Sequence, residues 1–387
     1  MKSMSARARE VSLEPFRLAL ALPKDVIRLS VGEPDFDTPD FIREAAKKAI
    51  DDGFTHYSPA SGYEDLREAV AEKLRRENGI TYNHETEIVI TPGSSSGIYL
   101  AMLTLLDPND EVLVPDPAWF HYRTLIRLCG AKPVGMPVKF ENDTSSLDFK
   151  EAKRRITSKT KILILNSPSN PTGLMLSKDV LKEVGEFAEK HNLFIVSDEV
   201  YEKIVYPGNT HVSPASLPGL KDRTLTSNGF SKAYAMTGWR VGYIAGMPEI
   251  MEKVAALNGY TLLGPSSVSQ RAALTGMTDP RIDAAITAMV ERYTKRREMV
   301  LEALTNLPRI KVYPPQGAFY TWIDITGTGM SAEQFSSKLI EREKVGLLPG
   351  SLFGELGEGY VRMSFSTGED YLKEALARFR RFVLSSN

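Results

Sequence analysis

The feature that most constrains this chain is an alternation, through its middle part, of short apolar runs with longer segments of helical periodicity. Each run is apolar at successive positions, so the strand that it predicts should be buried on both faces. Such strands, separated by helices, are typical of an α/β fold in which helices cover a mostly parallel sheet on both sides. The runs are residues 87–90, 111–114, 161–165, 193–196, 224–226 and 241–245.

The C-terminal part of the chain has a different pattern, which predicts a smaller α+β unit. A charged helix is expected from about Asp283 to Asn306, followed by strands near residues 317–323 and 360–365. Because 387 residues exceed the usual size of one domain, we expect two. The large domain should span residues 41–284, and residues 1–40 and 285–387 should form the small one. The crevice between them is the natural ligand site.

Composition excludes several functional classes. A formal net charge of -1 gives no electrostatic reason to expect nucleic acid or an anionic membrane as a partner. The single cysteine, Cys129, can form neither an internal disulfide nor a cysteine-based metal site, so we expect no metal and a reducing compartment. We also find no signal peptide and no membrane-spanning run, which predicts a cytoplasmic protein.

Polar and aromatic residues follow the apolar runs at the points where the predicted strands end. In open parallel sheets, ligands bind beyond these carboxyl ends. Together the segments supply a phosphate-binding turn, an indole, an amide, a carboxylate, a phenol and a lysine, which suits an anionic aromatic aldehyde. The segments are residues 93–97, 115–119, 166–173, 197–201 and 227–232.

Two of these groups have a structural explanation as well as a functional one. Gly93 and the serines after it could bind a phosphate at a helix N-terminus, or they could form an ordinary helix cap. Asp198 directly follows an apolar strand, so its carboxylate needs a partner. A protonated pyridine nitrogen would be such a partner, but a capping role for Asp198 is equally compatible with the sequence.

The basic residues indicate most directly which reaction and ligands the site could have. Lys232 could form an imine if its amine loses a proton, which burial near a cation favours, and Arg240 lies eight residues later. The guanidinium of Arg240 also suits a phosphate. Arg362 lies between apolar neighbours in a predicted strand and therefore needs an anion. That anion could be a structural carboxylate or the carboxylate of a substrate.

Taken together, these motifs resemble those of the class I/II pyridoxal-phosphate aminotransferases, specifically the branch of prokaryotic aspartate and aromatic aminotransferases. The resemblance extends from Val31 to Arg362 and implies an α/β fold of the PLP-dependent transferase fold type I. It depends on the order and spacing of several blocks, which are residues 31–39, 55–59, 170–173, 197–201, 231–240, 317–320, 349–354 and 360–362.

The resemblance implies pyridoxal 5'-phosphate (PLP) as cofactor, bound to Lys232 as a Schiff base. Lys232 also transfers the proton, Asp198 meets the ring nitrogen, and Tyr201 and Asn170 meet the phenolic oxygen of the ring. The remaining cofactor contacts that it implies are Trp119 stacked on the ring, Ser94, Ser95, Ser231 and Arg240 at the phosphate, and Tyr57 reaching the phosphate of the other subunit of a homodimer.

The resemblance also implies amino acids and 2-oxo acids as substrates. Arg362 should bind the α-carboxylate, with Gly32, Trp119 and Asn170 nearby. Aspartate with 2-oxoglutarate is the first expectation. Some aspartate-specific relatives place a lysine in the phosphate-loop helix, whereas this chain has serines at positions 94–96, so an aromatic or broad-specificity enzyme is the alternative. A PLP-dependent β-lyase would share most of the same blocks.

A rival from another class is a serine hydrolase. Residues 93–97 satisfy the G-x-S-x-G pattern of a nucleophile elbow, with Ser95 as nucleophile and Asp198 and His211 following in the expected order. This interpretation leaves Lys232 and Arg240 without a role. A nicotinamide dehydrogenase or a P-loop enzyme is disfavoured because neither G-x-G-x-x-G after a strand nor a Gly-Lys pair occurs.

Overall fold

A computed structural model describes residues 4–141 and 144–385 of the chain. The ends of the predicted small domain, residues 1–3 and 386–387, lie outside the described residues, as do residues 142–143. The α-helices are α1 (Ala6–Arg9), α2 (Glu14–Leu20), α3 (Asp40–Asp51), α4 (Glu64–Lys73), α5 (Ser94–Leu105), α6 (His121–Leu128), α7 (Phe149–Arg155), α8 (Lys178–Lys190), α9 (Pro248–Leu262), α10 (Ser267–Thr278), α11 (Ile282–Leu304), α12 (Ala332–Glu343) and α13 (Glu369–Ser385).

The strands form one large sheet and two smaller ones. They are β1 (Ile27–Arg28), β2 (Ile88–Thr91), β3 (Glu111–Asp116), β4 (Lys132–Glu141), β5 (Thr144–Leu147), β6 (Thr160–Asn166), β7 (Phe194–Asp198), β8 (Thr224–Gly229), β9 (Gly242–Ala245), β10 (Lys311–Tyr313), β11 (Tyr320–Asp324), β12 (Val345–Gly346), β13 (Leu348–Pro349) and β14 (Tyr360–Ser364).

The large sheet has the strand order β2-β9-β8-β7-β6-β3-β4-β5. The pairings from β8 through β7, β6 and β3 to β4 are parallel, while both ends of the sheet are antiparallel. All the predicted apolar runs lie in this sheet. The α/β fold with a mostly parallel centre is therefore confirmed.

The two faces of this sheet are both buried. On β6, Ile162 and Ile164 pack into one apolar cluster with residues of α5, α6 and α9, whereas Leu163 and Leu165 pack into another with residues of α7 and α8. Successive side chains of a strand point to opposite faces, so an uninterrupted apolar run requires cover on both sides. Because both faces of the central strands are covered, their ends are the natural place for a ligand.

The strands β4 and β5, at one end of the large sheet, are not predicted by the apolar pattern. β4 contains Pro133 and Pro137 and is mostly half-buried or exposed, so it lacks the continuous apolar character of the central strands. Proline is tolerated near the edge of a sheet, where fewer backbone donors need partners. The partial exposure of these two strands therefore explains why the pattern is weak.

The smaller antiparallel sheet has the order β10-β11-β14-β13. Its core includes α11, α12 and α13, and also Val200, Tyr201, Ile204 and Tyr206 from the chain that follows β7. The helix expected at residues 283–306 is α11, and the strand expected at 317–323 begins only at Tyr320. The small unit therefore packs directly against the carboxyl edge of the large sheet. The domain boundaries at residues 41–284 stay a prediction.

Within the described residues, each helix is too short or too polar to cross a lipid bilayer.

Candidate active site

A cavity of about 300 Å³ lies where the carboxyl ends of the large sheet meet the small sheet and helix α2. Every predicted cofactor and substrate residue except Tyr57 lines it. These residues are Gly32, Ser94, Ser95, Trp119, Asn170, Asp198, Tyr201, Ser231, Lys232, Arg240 and Arg362. Segments from both ends and the middle of the chain thus converge on one volume, as expected for a ligand site at the edge of an α/β sheet.

Lys232 follows β8 and directs its amine into the cavity, where Nζ donates to the carbonyl oxygen of Gly32 at 2.7 Å. Burial lowers the pKa of Lys232 to about 8; Glu33 opposes this shift, and Arg240 and Arg362 add to it. A neutral amine is the form that attacks an aldehyde. The site therefore makes the neutral amine of Lys232 easier to form than that of an exposed lysine.

Asp198 is the last residue of β7 and is only 2% exposed. Tyr122 donates its hydroxyl to Oδ2 at 2.7 Å, and the backbone N–H of Val200 approaches Oδ1 at 3.3 Å. Burial raises the pKa of Asp198 to about 6, although both hydrogen bonds act to lower it. A buried carboxylate without a full positive partner at hydrogen-bond distance suits a ligand that brings a cation, such as a protonated ring nitrogen.

The N-terminus of α5 forms a cradle that fits a phosphate. Gly93 precedes the helix with φ 85°, and no side chain caps the first turn. A Cβ atom on Gly93 would lie 2.6 Å from Nη2 of Arg240, so only glycine leaves this space open. Free N–H groups at a helix N-terminus, together with Ser94, Ser95 and a guanidinium, favour a dianion.

Arg362 lies at the centre of the small sheet, on β14, opposite Trp322 of β11 and Leu348 of β13. It is 3% exposed; Nη1 donates to Oδ1 of Asn170 at 3.0 Å and Nη2 donates to the carbonyl oxygen of Ser30. Its Nε has no hydrogen-bond partner, and no carboxylate among the described residues forms an ion pair with it. A structural carboxylate is thus not what Arg362 meets, and a substrate carboxylate fits the open donor.

The aromatic residues of the cavity also have defined contacts. The Tyr201 and Tyr320 hydroxyl oxygens lie 2.8 Å apart, and burial raises the pKa of Tyr201 well above its ordinary value. The indole of Trp119 stacks on the imidazole of His121 at 4.5 Å between ring centroids. Tyr201 is thereby held as a neutral phenol, and Trp119 is held by its neighbours as a wall of the cavity.

Several lining residues carry no signal in the sequence that assigns them to the site. Tyr122 follows Trp119 by three residues and donates to Asp198. Asn166 begins the predicted strand-end segment 166–173 but has no role of its own there; it donates to the Asp198 carbonyl oxygen at 3.0 Å. Tyr320 lies within the block 317–320, which contributes to the family resemblance without a role of its own. Helix α2 adds the apolar residues Phe16, Ala19 and Leu20. No sequence pattern connects α2 with this cavity.

Tyr57 lies apart from the cavity. It is 83% exposed and lines a separate surface concavity with Leu262, Leu263 and their neighbours. A role for Tyr57 in the site of its own subunit is therefore not seen, and its expected role in a second subunit stays a prediction.

The serine-hydrolase alternative finds no support in the geometry. Ser95 lies within α5 and lines the cavity, but His211 does not. The Nε2 atom of His211 lies 2.9 Å from Oε2 of Glu199, and Asp198 bonds Tyr122 instead of a histidine. Ser95 thus lacks the base that a catalytic triad requires.

An α/β sheet that brings together a lysine of lowered pKa, a buried carboxylate and a helix N-terminus suited to a phosphate at its carboxyl edge defines the class: this is the fold type I of PLP-dependent enzymes. The sequence profile described as "Aminotransferase class I and II" matches residues 24–379. The chain therefore belongs to the class I and II aminotransferase family, whose members use pyridoxal 5'-phosphate.

Named relatives and solved structures agree with this family. The chain is 44% identical to aromatic-amino-acid aminotransferase 2 of Thermococcus litoralis, over 92% of each chain. It is 43% identical to an aspartate aminotransferase of Pyrococcus abyssi, over 93% of this chain and 92% of that protein. Its structure is similar to the aromatic aminotransferase of Pyrococcus horikoshii, with 40% identity, 99% coverage of both chains and a TM-score of 0.93.

Proposed function

We propose that this aminotransferase moves the amino group of an aromatic L-amino acid to a 2-oxo acid such as 2-oxoglutarate. The observation that supports this choice is the apolar part of the cavity, where Phe16, Leu20, Phe120 and Leu348 lie together with Ala19 and Val31. Such a lining favours an aromatic side chain over a carboxylate.

Aspartate is the second candidate donor. It is favoured by the named relatives that include aspartate aminotransferases. The cations that line the cavity among the described residues are Lys232, Arg240 and Arg362, and each already has a proposed role. The second carboxylate of aspartate would therefore need a cation from outside this lining, for example from a second subunit.

The residues of the site fit PLP, and each would have a separate role in binding or catalysis. When bound, PLP supplies an aldehyde that condenses with amines and a ring that accepts electrons from the substrate Cα. Lys232 would hold the cofactor covalently and then carry the Cα proton, a step for which its lowered pKa prepares it. Asp198 would keep the ring nitrogen protonated, and the Asp198 pKa should fall when that cation arrives.

The other residues bind and orient. Arg362 would hold the substrate α-carboxylate, with Asn170 and Gly32 beside it, and Tyr201 and Asn170 would meet the phenolic oxygen of the ring. Trp119 would stack on the ring. The phosphate would lie against Ser94, Ser95, Ser231 and Arg240, where the open helix N-terminus and the guanidinium provide donors.

A homodimer with Tyr57 acting across the interface belongs to the proposal. Tyr57, Tyr260, Leu262 and Leu263 are all exposed, with exposed fractions from 45% to 92%, and three of them line one concavity. A cluster of exposed large apolar residues is typical of an interaction surface. Mixing a Tyr57→Ala protein with a Lys232→Ala protein should restore activity, because one mixed site contains both wild-type residues. Absence of rescue would count against sharing.

Two experiments test the main proposal. Borohydride reduction followed by peptide mapping should find the cofactor attached to Lys232, and attachment elsewhere would overturn the site. A panel of donors with 2-oxoglutarate should then rank phenylalanine and tyrosine above aspartate. Release of pyruvate and ammonia from a β-substituted donor, without recovery by a 2-oxo acid, would instead indicate a β-lyase.

We also propose a cytoplasmic location, supported by the single cysteine.

A further inference from the structure

The proposed function uses only Val31 and Gly32 of the sequence block that begins at Val31, yet residues 32–38 also contact the loop that carries Lys232 and Arg240. At one end, Nζ of Lys232 donates to the Gly32 carbonyl oxygen, and the hydroxyl of Thr237 donates to the carboxylate of Glu33. Segment 32–38 therefore contacts loop 232–240 at both the reactive amine and the middle of the loop.

At the other end of segment 32–38, one hydroxyl makes two contacts. Thr38 Oγ1 donates to the carbonyl oxygen of Ala235 at 2.6 Å and accepts from the indole N–H of Trp239 at 2.9 Å. Thr38 is 8% exposed, so water has little access to replace either contact. A hydroxyl can donate and accept at once, whereas a methyl group can do neither.

Loop 232–240 has a backbone that needs such support. Ala235 has φ 51° and Arg240 has φ 50°, both in the left-handed region that residues with a Cβ seldom adopt. These conformations persist only where the surroundings hold them. Thr38 bonds Ala235 itself and Trp239, the residue directly before Arg240.

Segment 32–38 is itself firmly anchored on its far side. Arg296, which is fully buried on α11, forms a bidentate pair with Asp35, at 2.7 and 2.8 Å, and also bonds Glu369 at 3.1 Å. Bidentate guanidinium–carboxylate pairs constrain geometry as well as distance. Thr38 therefore presents its hydroxyl from a fixed support.

We propose that Thr38 is a positioning residue for cofactor binding. Its hydroxyl stabilises the left-handed conformations in loop 232–240 and so fixes the position of the Lys232 amine relative to the Arg240 guanidinium. Thr38 does not line the cavity and acts through these two residues. The inference rests on the proposed roles of Lys232 and Arg240 in binding PLP.

The test compares Thr38→Val, which keeps the shape and removes the hydroxyl, with Thr38→Ser, which keeps the hydroxyl. The readouts are the dissociation constant of PLP from the cofactor-free protein and the pH midpoint of the absorbance of the lysine-bound cofactor. Loss of two hydrogen bonds should weaken PLP binding about ten-fold in Thr38→Val and shift that midpoint. Thr38→Ser should resemble the wild type in both.

A matched control is Thr294→Val, which removes a threonine hydroxyl that bonds the Val290 carbonyl oxygen within α11, away from the cavity. It should leave PLP binding and the absorbance midpoint unchanged. Thermal unfolding of each cofactor-free variant separates positioning from folding: the proposal expects Thr38→Val to melt within a few degrees of Thr294→Val.

Three results would overturn the inference. These are wild-type PLP binding by Thr38→Val, a Thr38→Ser defect as large as that of Thr38→Val, and a Thr38→Val defect that is matched by a collapse of its melting temperature. Failure of the proposed site is distinguishable, because in that case the wild-type protein itself would not attach PLP at Lys232.

Discussion

The two walls of the cavity are built in different ways. On the wall formed by the large sheet, the functional residues stand at or just after the ends of parallel strands, as Asp198 does at the end of β7 and Lys232 does shortly after β8. On the opposite wall, Arg362 lies in mid-strand in the small sheet, and Phe16 comes from helix α2 near the N-terminus.

We propose that this difference separates the residues of the chemical step from those that select the substrate. Strand ends in a sheet buried on both faces are rigid, and a rigid support suits groups whose protonation and geometry must be controlled. The opposite wall is assembled from chain segments far apart in sequence, namely β14 and α2. We therefore expect substitutions on the sheet wall to affect turnover, and those on the opposite wall to affect which substrate binds.

The largest expected effect is on the sheet wall, at Lys232. Lys232→Ala should lower kcat by on the order of 10⁴-fold, because the proton-transfer group is lost, while PLP is still retained by the other contacts. Turnover with phenylalanine and cofactor absorbance measure the two effects. Lys253→Ala, at a lysine paired with Glu252 on the surface, is the control and should behave as the wild type. Near-normal turnover in Lys232→Ala would remove the catalytic assignment.

On the opposite wall, Arg362→Gln should act mainly on substrate binding. Loss of the charged donor pair to the α-carboxylate should reduce kcat/KM about 100-fold for every amino donor. The affinity for PLP should change little, because no cofactor contact is proposed for Arg362, whereas the pH midpoint of the cofactor absorbance should rise because Arg362 helps to lower the pKa of Lys232. Steady-state kinetics with aromatic and acidic donors measure this effect. A loss confined to one class of donor would show that Arg362 meets the side chain instead.

A smaller effect is expected where Tyr122 supports the sheet wall. Burial raises the pKa of Asp198, and the hydrogen bond from Tyr122 partly offsets this rise. Tyr122→Phe removes that hydrogen bond, so the Asp198 pKa should rise above about 6. PLP binding needs the charged carboxylate and should therefore weaken as the pH falls through this pKa. In Tyr122→Phe the weakening should begin at a higher pH, with about a ten-fold lower affinity near pH 6. An unchanged pH profile of PLP binding would show that Tyr122 does not tune Asp198.

The smallest effect should come from helix α2. Phe16→Ala shortens an apolar side chain in the cavity lining, so kcat/KM for tyrosine should fall about five-fold through lost apolar contact. The value for aspartate should hardly change, since its side chain gains nothing from that contact. Leu13→Ala, at an exposed residue just before the same helix, is the matched control. Equal losses for both donors would contradict the division between the two walls.

Most of the sheet wall can be predicted from sequence because its signals are local. Apolar runs predict the central strands, and the residues after each run lie at the carboxyl edge by the geometry of parallel sheets. The sequence alone therefore places Asp198 and Lys232 at one edge. The strands β4 and β5 are not predicted because half-exposed strands lack that uninterrupted pattern.

The opposite wall can be predicted only in part. Arg362 stands out in the sequence because a charged residue between apolar neighbours requires an anion, but the sequence leaves open whether that anion is structural. The structure decides this, since no carboxylate of the described residues pairs with Arg362 while its Nε is left without a partner. The contributions of Tyr122 and Tyr320 likewise depend on hydroxyl positions that no periodicity specifies.

By itself, then, the sequence determined the α/β architecture, the family and the residues with which the cofactor chemistry is expected to proceed. Only the tertiary structure decided that helix α2 contributes Phe16 to the cavity, that Tyr57 stands outside it, and that Thr38 bonds the loop of Lys232 from about 200 positions away. The physical reason is the separation of the interacting residues along the chain. Strand patterns and strand-end positions are set by residues close in sequence, whereas these contacts arise when distant segments pack together.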